Sequence, residues 1–364
     1  MDTSSPRVAT VTINYNALAH NLHRVKQLAP DSKIAAVIKA NAYGHGMLEV
    51  AKQLSSLNAS ELLVDSLAVA MLGEAISLRE AGIEMPIMVF HGFANIDDLA
   101  LMERYDLQPI VHQMWQLELL EKHFSKSLDV WLKVDTGMHR LGLPNDIIGQ
   151  AIESLSECEN IGLCRVMSHF ANADDVNNPL NIKQLKEIVK VNNHFDVELS
   201  MANSAAIISQ PESHLDWVRP GIMLYGSSPF DDKSAIDLDL EAVMQFESNL
   251  MAINSLKAGD CIGYGSTFTC PQDMNVGVVS VGYADGYPRS AKNGTPVWIN
   301  GKRCPLVGRV SMDSISIDLQ GVEAKPGDRV VLWGSELPVD EVALNADTIS
   351  YELLCRAGNA IGLR

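Results

Sequence analysis

The segment Ala36-Val37-Ile38-Lys39-Ala40-Asn41-Ala42-Tyr43-Gly44-His45-Gly46 sets a lysine at the end of an apolar run. Burying an ammonium costs several kcal/mol unless it is neutralised. Condensing the Lys39 amine with an aldehyde removes the charge and forms an imine, the covalent grip used on aldehyde cofactors. A lysine alone at a strand mouth reads as a surface group. Here Tyr43 adds a phenol, and Gly44 and Gly46 add a backbone that other groups can approach closely. The combination favours chemistry.

Further along, Trp131-Leu132-Lys133-Val134-Asp135-Thr136-Gly137-Met138-His139-Arg140-Leu141-Gly142 carries Lys133 and Arg140. Arginine suits a two-pronged grip on a carboxylate such as an amino-acid substrate presents. On this segment alone a solvated loop is an equal reading. Ser168-His169-Phe170-Ala171, Ala202-Asn203-Ser204-Ala205-Ala206 and Val218-Arg219-Pro220-Gly221-Ile222 each close or follow an apolar run. A serine at such a place is a helix cap or an anion site, and Gly221 would let amides approach a phosphate. His169 reads by default as a core histidine, with its strand-end position raising the functional reading.

In the second half, Gly263-Tyr264-Gly265, Gly282-Tyr283-Ala284, Gly308-Arg309-Val310-Ser311-Met312-Asp313 and Tyr351 are each ambiguous alone. His20-x-x-His23 has no acidic or cysteine partner nearby, so no metal is expected there. No nucleophile elbow or phosphate-binding Walker loop occurs.

Elements that must position these residues follow from the apolar pattern. Leu18, Leu22, Val25 and Leu28 recur at helical spacing before Pro30, and Met47, Val50, Ala51 and Leu54 do so again. Ile182, Leu185 and Val189 mark a further helical face. Strand candidates fall at 34–38, 66–70, 86–90, 108–111, 129–134, 161–168, 197–201 and 216–219. Continuous apolar strands imply burial on both faces and a parallel sheet covered by helices. Eight βα units predict a TIM (β/α)8 barrel over residues 13–235, and no Gly-rich fingerprint supports a doubly wound sheet. After residue 236 the rhythm changes to period two, as at Met244, Phe246, Leu250 and Ala252, and at Ile315, Ile317 and Leu319. Asn300-Gly301 reads as a tight hairpin turn. Residues 236–364 therefore read as a mostly β domain ending in a short helix near 348–356.

The chain of 364 residues is long enough for two domains, with 47% hydrophobic and 20% charged residues. A net charge of -17 disfavours nucleic acid and anionic membranes as partners. Six scattered cysteines without a C-x-x-C pair, and no visible secretory signal or membrane span, suggest a cytoplasmic protein with reduced thiols.

Taken in order, VIKANAYGHG, LKVDTGMHRLG, SHFA, ANSAA, WVRPGIMLYG, GYGSTF, VGYADGYPR and GRVSMD resemble the signatures of the alanine racemase family over essentially the whole chain. The resemblance implies pyridoxal phosphate as cofactor, a homodimer with a shared site, and interconversion of L- and D-alanine for peptidoglycan. It implies that the first dozen residues join the β domain. It makes Lys39 the cofactor-bearing base for the D-isomer and Tyr264, from the other subunit, the base for the L-isomer. Arg219 would face the pyridine nitrogen. Tyr43, Ser204, Gly221, Ile222 and Tyr351 would hold the phosphate, with His169 and Asn203 beside the cofactor.

Arg140 and Met312 would meet the substrate carboxylate, and Lys133 matches a lysine often carbamylated in relatives. Tyr283, Arg309 and Asp174 would line the corridor into the site. Ser200 stands where some relatives carry His and is expected on that corridor. His139 replaces a small residue or Asn. Three rivals remain at this point: a broad-specificity racemase, a decarboxylase of the same fold, which would be expected to carry an acidic partner in place of Arg219, and a non-catalytic cofactor carrier, which would resemble the barrel alone.

Overall fold

The computed structural model describes residues 8–60, 63–123, 128–158 and 161–361. It divides into two compact units, one of residues 21–42 and 47–224, the other of residues 1–20, 43–46 and 225–364. The first strand, β1 (Thr10–Ile13), belongs to the second of these units.

The first unit is a closed parallel barrel of β2 (Lys33–Val37), β3 (Ser66–Val69), β4 (Ile87–Val89), β5 (Gln108–Val111), β6 (Leu128–Lys133), β7 (Ile161–Met167), β8 (Leu199–Ser200) and β9 (Trp217–Val218). The ring closes where β2 pairs with β9. The strands are apolar on both faces because the barrel interior is filled with side chains and helices cover the outside: Ile34, Leu67, Met88, Ile110, Leu132 and Val166 are all fully buried. Arg165 shows how a charged group is built into this interior. Arg165 donates to Asp129 at 3.0 Å and Glu198 at 2.7 Å, with the rings of Trp131 and Trp217 at 5.5 and 5.4 Å. Paired carboxylates and flanking rings make that buried guanidinium tolerable.

Most helices follow the expected stripe, as in Tyr15–Leu28, where Leu18, Leu22 and Val25 are buried. The helix Pro179–Val189 departs from it. Ile182 is 60% exposed and Val189 41% exposed, while Asn181, Gln184 and Ile188 face inward. Two amides are buried there because loop backbone groups beneath the helix need partners, and a polar side chain can supply them.

The second unit holds an antiparallel sheet. Its strands are β10 (Met244–Leu256), β13 (Met274–Val279), β14 (Pro296–Ile299), β15 (Lys302–Pro305), β16 (Ile315–Asp318) and β17 (Arg329–Trp333), in the order β15-β14-β17-β10-β13-β16. β1 pairs antiparallel with β10, so Thr10–Ile13 is a strand of this sheet. A separate ribbon joins β11 (Cys261–Ile262) to β12 (Phe268–Thr269). Asn300 and Gly301, at φ 46° and 83°, make the two-residue turn between β14 and β15. The long β10 shifts register between Leu250 and Ala252, which interrupts its alternation. The closing helix is Ser350–Ile361.

Candidate active site

Lys39 begins a short helical turn, Lys39–Gly44, directly after β2. The turn is left-handed: Ala40, Asn41, Ala42 and Tyr43 have φ between 53° and 55°. A left-handed conformation costs an L-residue roughly 1–2 kcal/mol, so four in a row need restraints. Ala42 N–H donates to the Ile38 carbonyl at 2.9 Å. Met47 N–H donates to the Asn41 side chain at 2.9 Å. Glu74 accepts the Ala40 N–H at 2.7 Å with one oxygen, and the Ala70 and Met71 N–H groups at 2.9 and 3.0 Å with the other. Apart from Asn41 and Gly44, nothing in the residue types announces this turn. Gly44 is required, since a Cβ there would lie 2.3 Å from the Leu354 carbonyl oxygen. Tyr43 is buried, with its ring 4.8 Å from Tyr225 and 5.9 Å from Tyr351. Burial, then Tyr351 and Cys355, push its phenol far above the ordinary value, so it remains a donor.

The C-terminal ends of the barrel strands bring the remaining barrel residues together. Lys39 Nζ lies 5.8 Å from the Phe90 ring centroid. Lys133, at the end of β6, is lowered from 10.5 to about 8 by burial, then by Arg219, Arg140 and Lys39, with Asp135 opposing. His169 is pushed well below its usual value by burial and by the same cations, Arg219, Lys133, Arg140 and Lys39. Arg219 is buried and donates to Ser200 Oγ at 2.6 Å, to the Ser168 carbonyl at 2.5 Å and to the Met201 carbonyl at 3.3 Å. Its Nη2 also lies 3.3 Å from His169 Nδ1. A guanidinium only donates, so His169 is neutral, with Nδ1 accepting and Nε2 carrying the proton.

Ser200 is therefore not a corridor residue. It lies fully buried in β8, accepts from Arg219 and donates to the Trp217 carbonyl at 2.8 Å. Sequence position alone could not show that its side chain points into the barrel. His139 is exposed at φ 55°, a conformation that glycine and asparagine adopt readily, and its Nδ1 lies 3.1 Å from Asp135 Oδ2. Asp135 also accepts the Gly137 and His139 N–H groups, both at 3.0 Å, folding the loop that carries the exposed Arg140.

Ser204 is buried and its Oγ accepts from Gly221 N–H at 2.9 Å and Met223 N–H at 3.3 Å. Asn203 caps the helix Ser204–Ser209 by accepting from Ala206 N–H at 3.1 Å. Gly221 and Ile222 are buried, and Asp174 is exposed in the loop after β7.

In the sheet unit, Tyr264 is 71% exposed on a short turn whose neighbours Gly263 and Gly265 have φ 70° and 73°. A Cβ on Gly265 would meet Arg309 Nη1 at 3.3 Å, so the guanidinium lies against this turn. Tyr283 donates its N–H to the Ser311 carbonyl at 3.1 Å, and Ala284 N–H donates to the Met312 carbonyl at 3.0 Å. Tyr283 and the 53% exposed Met312 thus share one exposed ledge.

The donor set of the barrel mouth fits pyridoxal phosphate. Lys133 feels three cations against one carboxylate, and Arg219 spends its N–H groups on neutral acceptors. Such a mouth has unspent positive charge for a phosphate and a substrate carboxylate, and an amine, Lys39, for an aldehyde.

Two family models cover the chain: "Alanine racemase, N-terminal domain" matches residues 13–229, and "Alanine racemase, C-terminal domain" matches residues 243–363. The chain belongs to the alanine racemase family. Among alanine racemases, it is 44% identical to that of Vibrio cholerae, over 96% of each chain. It is 46% identical to that of Nitrosococcus oceani, over 94% of this chain and 95% of the relative. The solved biosynthetic alanine racemase of Pseudomonas aeruginosa superimposes with a TM-score of 0.93 at 39% identity, covering 98% of this chain and 99% of that one. Alanine racemases depend on pyridoxal phosphate and act as isomerases.

Proposed function

We infer that the protein interconverts L-alanine and D-alanine by two-base racemisation with pyridoxal phosphate, supplying D-alanine for peptidoglycan. The carrying observation is the convergence of Lys39, Lys133, His169 and Arg219 at the ends of barrel strands, with no acidic side chain bonded to Arg219 among the described residues. When bound, the cofactor supplies an electron sink that acidifies the α-C–H of an attached amino acid.

Lys39 holds the cofactor through its amine and moves the α-proton on the face serving the D-isomer. Tyr264 moves it on the opposite face, serving the L-isomer. Arg219 would stand at the ring nitrogen of the bound cofactor. Because guanidinium holds its own proton, it would give that nitrogen none and so would moderate the sink. Ser204, Gly221, Ile222, Tyr43 and Tyr351 would hold the phosphate, the tyrosines as phenol donors. His169 and Asn203 stand beside the cofactor. Arg140 and Met312 hold the substrate carboxylate, and Lys133, as its carbamate, supplies the anion that orients Arg140. Tyr283, Arg309 and Asp174 line the corridor.

The domain division we adopt is a cofactor barrel over 13–235 and a β domain over 236–364 joined by the first dozen residues, of which 1–7 lie outside the described residues. The working form is a homodimer in which Tyr264 serves the other subunit. The exposure of Tyr264 and Met312, at 71% and 53%, supports that reading. The cytoplasm is the location: all six cysteines are free thiols, as a reducing compartment requires. Among the described residues no helix is long and apolar enough to cross a membrane.

The deciding experiment incubates cofactor-loaded protein with L-alanine in deuterated water, following chirality and α-deuterium together. D-alanine bearing α-deuterium is expected. Release of carbon dioxide or pyruvate would instead indicate decarboxylation or transamination, and an unchanged substrate would refute catalysis. Light scattering at assay concentration checks the dimer, and a fully active monomer would contradict the shared site.

A further inference from the structure

The helix Pro179–Val189 turns a polar face inward, and Gln184 on it is fully buried. Its Oε1 accepts the Ala171 N–H at 3.0 Å, and its Nε2 donates to the His169 carbonyl at 3.0 Å. Nε2 also reaches Thr136 Oγ1 at 3.4 Å. Thr136 Oγ1 lies 2.8 Å from Ser168 Oγ, and Ser168 Oγ donates to the Val134 carbonyl at 2.9 Å. With the Ser168 proton committed, Thr136 donates to Ser168 and accepts from Gln184. One amide therefore ties the loop after β6 to the loop after β7. Those loops carry two of the acceptors that aim Arg219, the Ser168 carbonyl and His169 Nδ1. One turn earlier, Asn181 donates to the carbonyls of Asn172 and Asp175, at 2.9 and 3.0 Å, pinning the far end of the same loop.

We propose that Gln184 is a positioning residue for the racemisation: it holds the His169 carbonyl and the Ala171 N–H that follows it and, through Thr136, the Ser168 residue whose carbonyl helps aim Arg219. The proposal rests on the racemase reading for its kinetic part only. A core glutamine with no such role would affect folding without touching the imidazole. Removing the Nε2 donor frees the His169 carbonyl and loosens the ring from the guanidinium. In the cofactor-free, uncarbamylated protein burial, then Arg219, Lys133, Arg140 and Lys39, keep that ring neutral, and the Arg219 contact at Nδ1 leaves its proton on Nε2.

The test uses the full chain without cofactor, labelled with 15N-histidine, the His169 signal being assigned with His169→Asn. The unaltered protein is expected to show one Nε2–H tautomer that does not titrate between about pH 5 and 9. Gln184→Glu keeps the acceptor for Ala171 and loses both donations. It is expected to give mixed tautomers or a titrating signal, and, once loaded, a kcat about tenfold lower with KM within about twofold. If Gln184→Glu does not fold, Thr136→Val removes only the relay to Ser168 and is expected to move both readouts in the same direction. A folded variant in which neither readout moves, or only one, overturns the proposal. Absence of racemisation in the unaltered protein would sink the functional reading, leaving the imidazole signals to decide whether Gln184 positions His169.

Discussion

The Arg219 guanidinium donates to the Ser200 hydroxyl at 2.6 Å, and that hydroxyl donates onward to the Trp217 carbonyl at 2.8 Å. Both side chains are buried, so neither can turn to water instead. Ser200→Ala leaves an Arg219 N–H without its acceptor, and an unsatisfied buried donor costs about 1–3 kcal/mol. Urea unfolding should show a loss of that size, and the variant should bind cofactor while turning over more slowly. Unchanged stability and kcat would mean that Arg219 finds another acceptor at no cost.

Lys39→Ala should abolish both the visible absorbance that the bound cofactor gives the protein and nearly all turnover. Absorption spectroscopy after loading and gel filtration checks the first, and a chirality assay the second. A variant that retains appreciable racemisation would remove Lys39 from its proposed role.

Tyr264→Phe should leave the cofactor bound. The equilibrium constant between two enantiomers is one, so kcat/KM must fall equally in both directions, whichever base is lost. The side-specific readout is proton exchange. In deuterated water D-alanine should still incorporate α-deuterium through Lys39, with its configuration retained, while L-alanine incorporates little. Equal exchange from both enantiomers would contradict the two-base assignment.

Lys133 gives a pH dependence with a definite sign. Its folded value is lowered from 10.5 to about 8, chiefly by burial and then by Arg219, Arg140 and Lys39. The unfolded chain therefore binds more protons between about 8 and 10.5. Stability rises with pH through that window, and the penalty is fully present below it. In cofactor-free protein and carbonate-free buffer, Lys133→Met should stabilise more at neutral pH than above pH 10. A gain independent of pH would remove the charge argument. The neutral amine is also the form that adds carbon dioxide, so 13C-bicarbonate should give a carbamate signal absent from Lys133→Met.

The left-handed turn after Lys39 makes a prediction about stability alone. Ala40 is exposed at φ 53°. Glycine bears no Cβ penalty there, so Ala40→Gly should stabilise by about 1 kcal/mol, less the entropy that glycine loses on folding. Thermal denaturation measures it, and a loss of 1 kcal/mol or more would show that the Ala40 methyl makes contacts outweighing the strain.

Much of this molecule is written locally in the chain. Runs such as Ile34–Ile38 and Val130–Leu132, apolar on both faces, suit only strands covered on both sides, and Asn300-Gly301 suits only a tight turn. The lysine after the first barrel strand and the arginine after the last are also legible, because strand ends and residue types are local properties. Handedness and inward direction are not. Four residues of ordinary type, Ala40 to Tyr43, take a left-handed path because Glu74, thirty-four residues beyond Ala40, holds the first N–H. Ser200 serves Arg219 because β8 and β9 are adjacent and the hydroxyl faces the barrel interior. On Pro179–Val189 the apolar residues Ile182 and Val189 face water and Gln184 faces the core. The reason is that loop carbonyls and amides buried under that helix require hydrogen-bond partners, a demand set by distant segments that only the folded chain brings together.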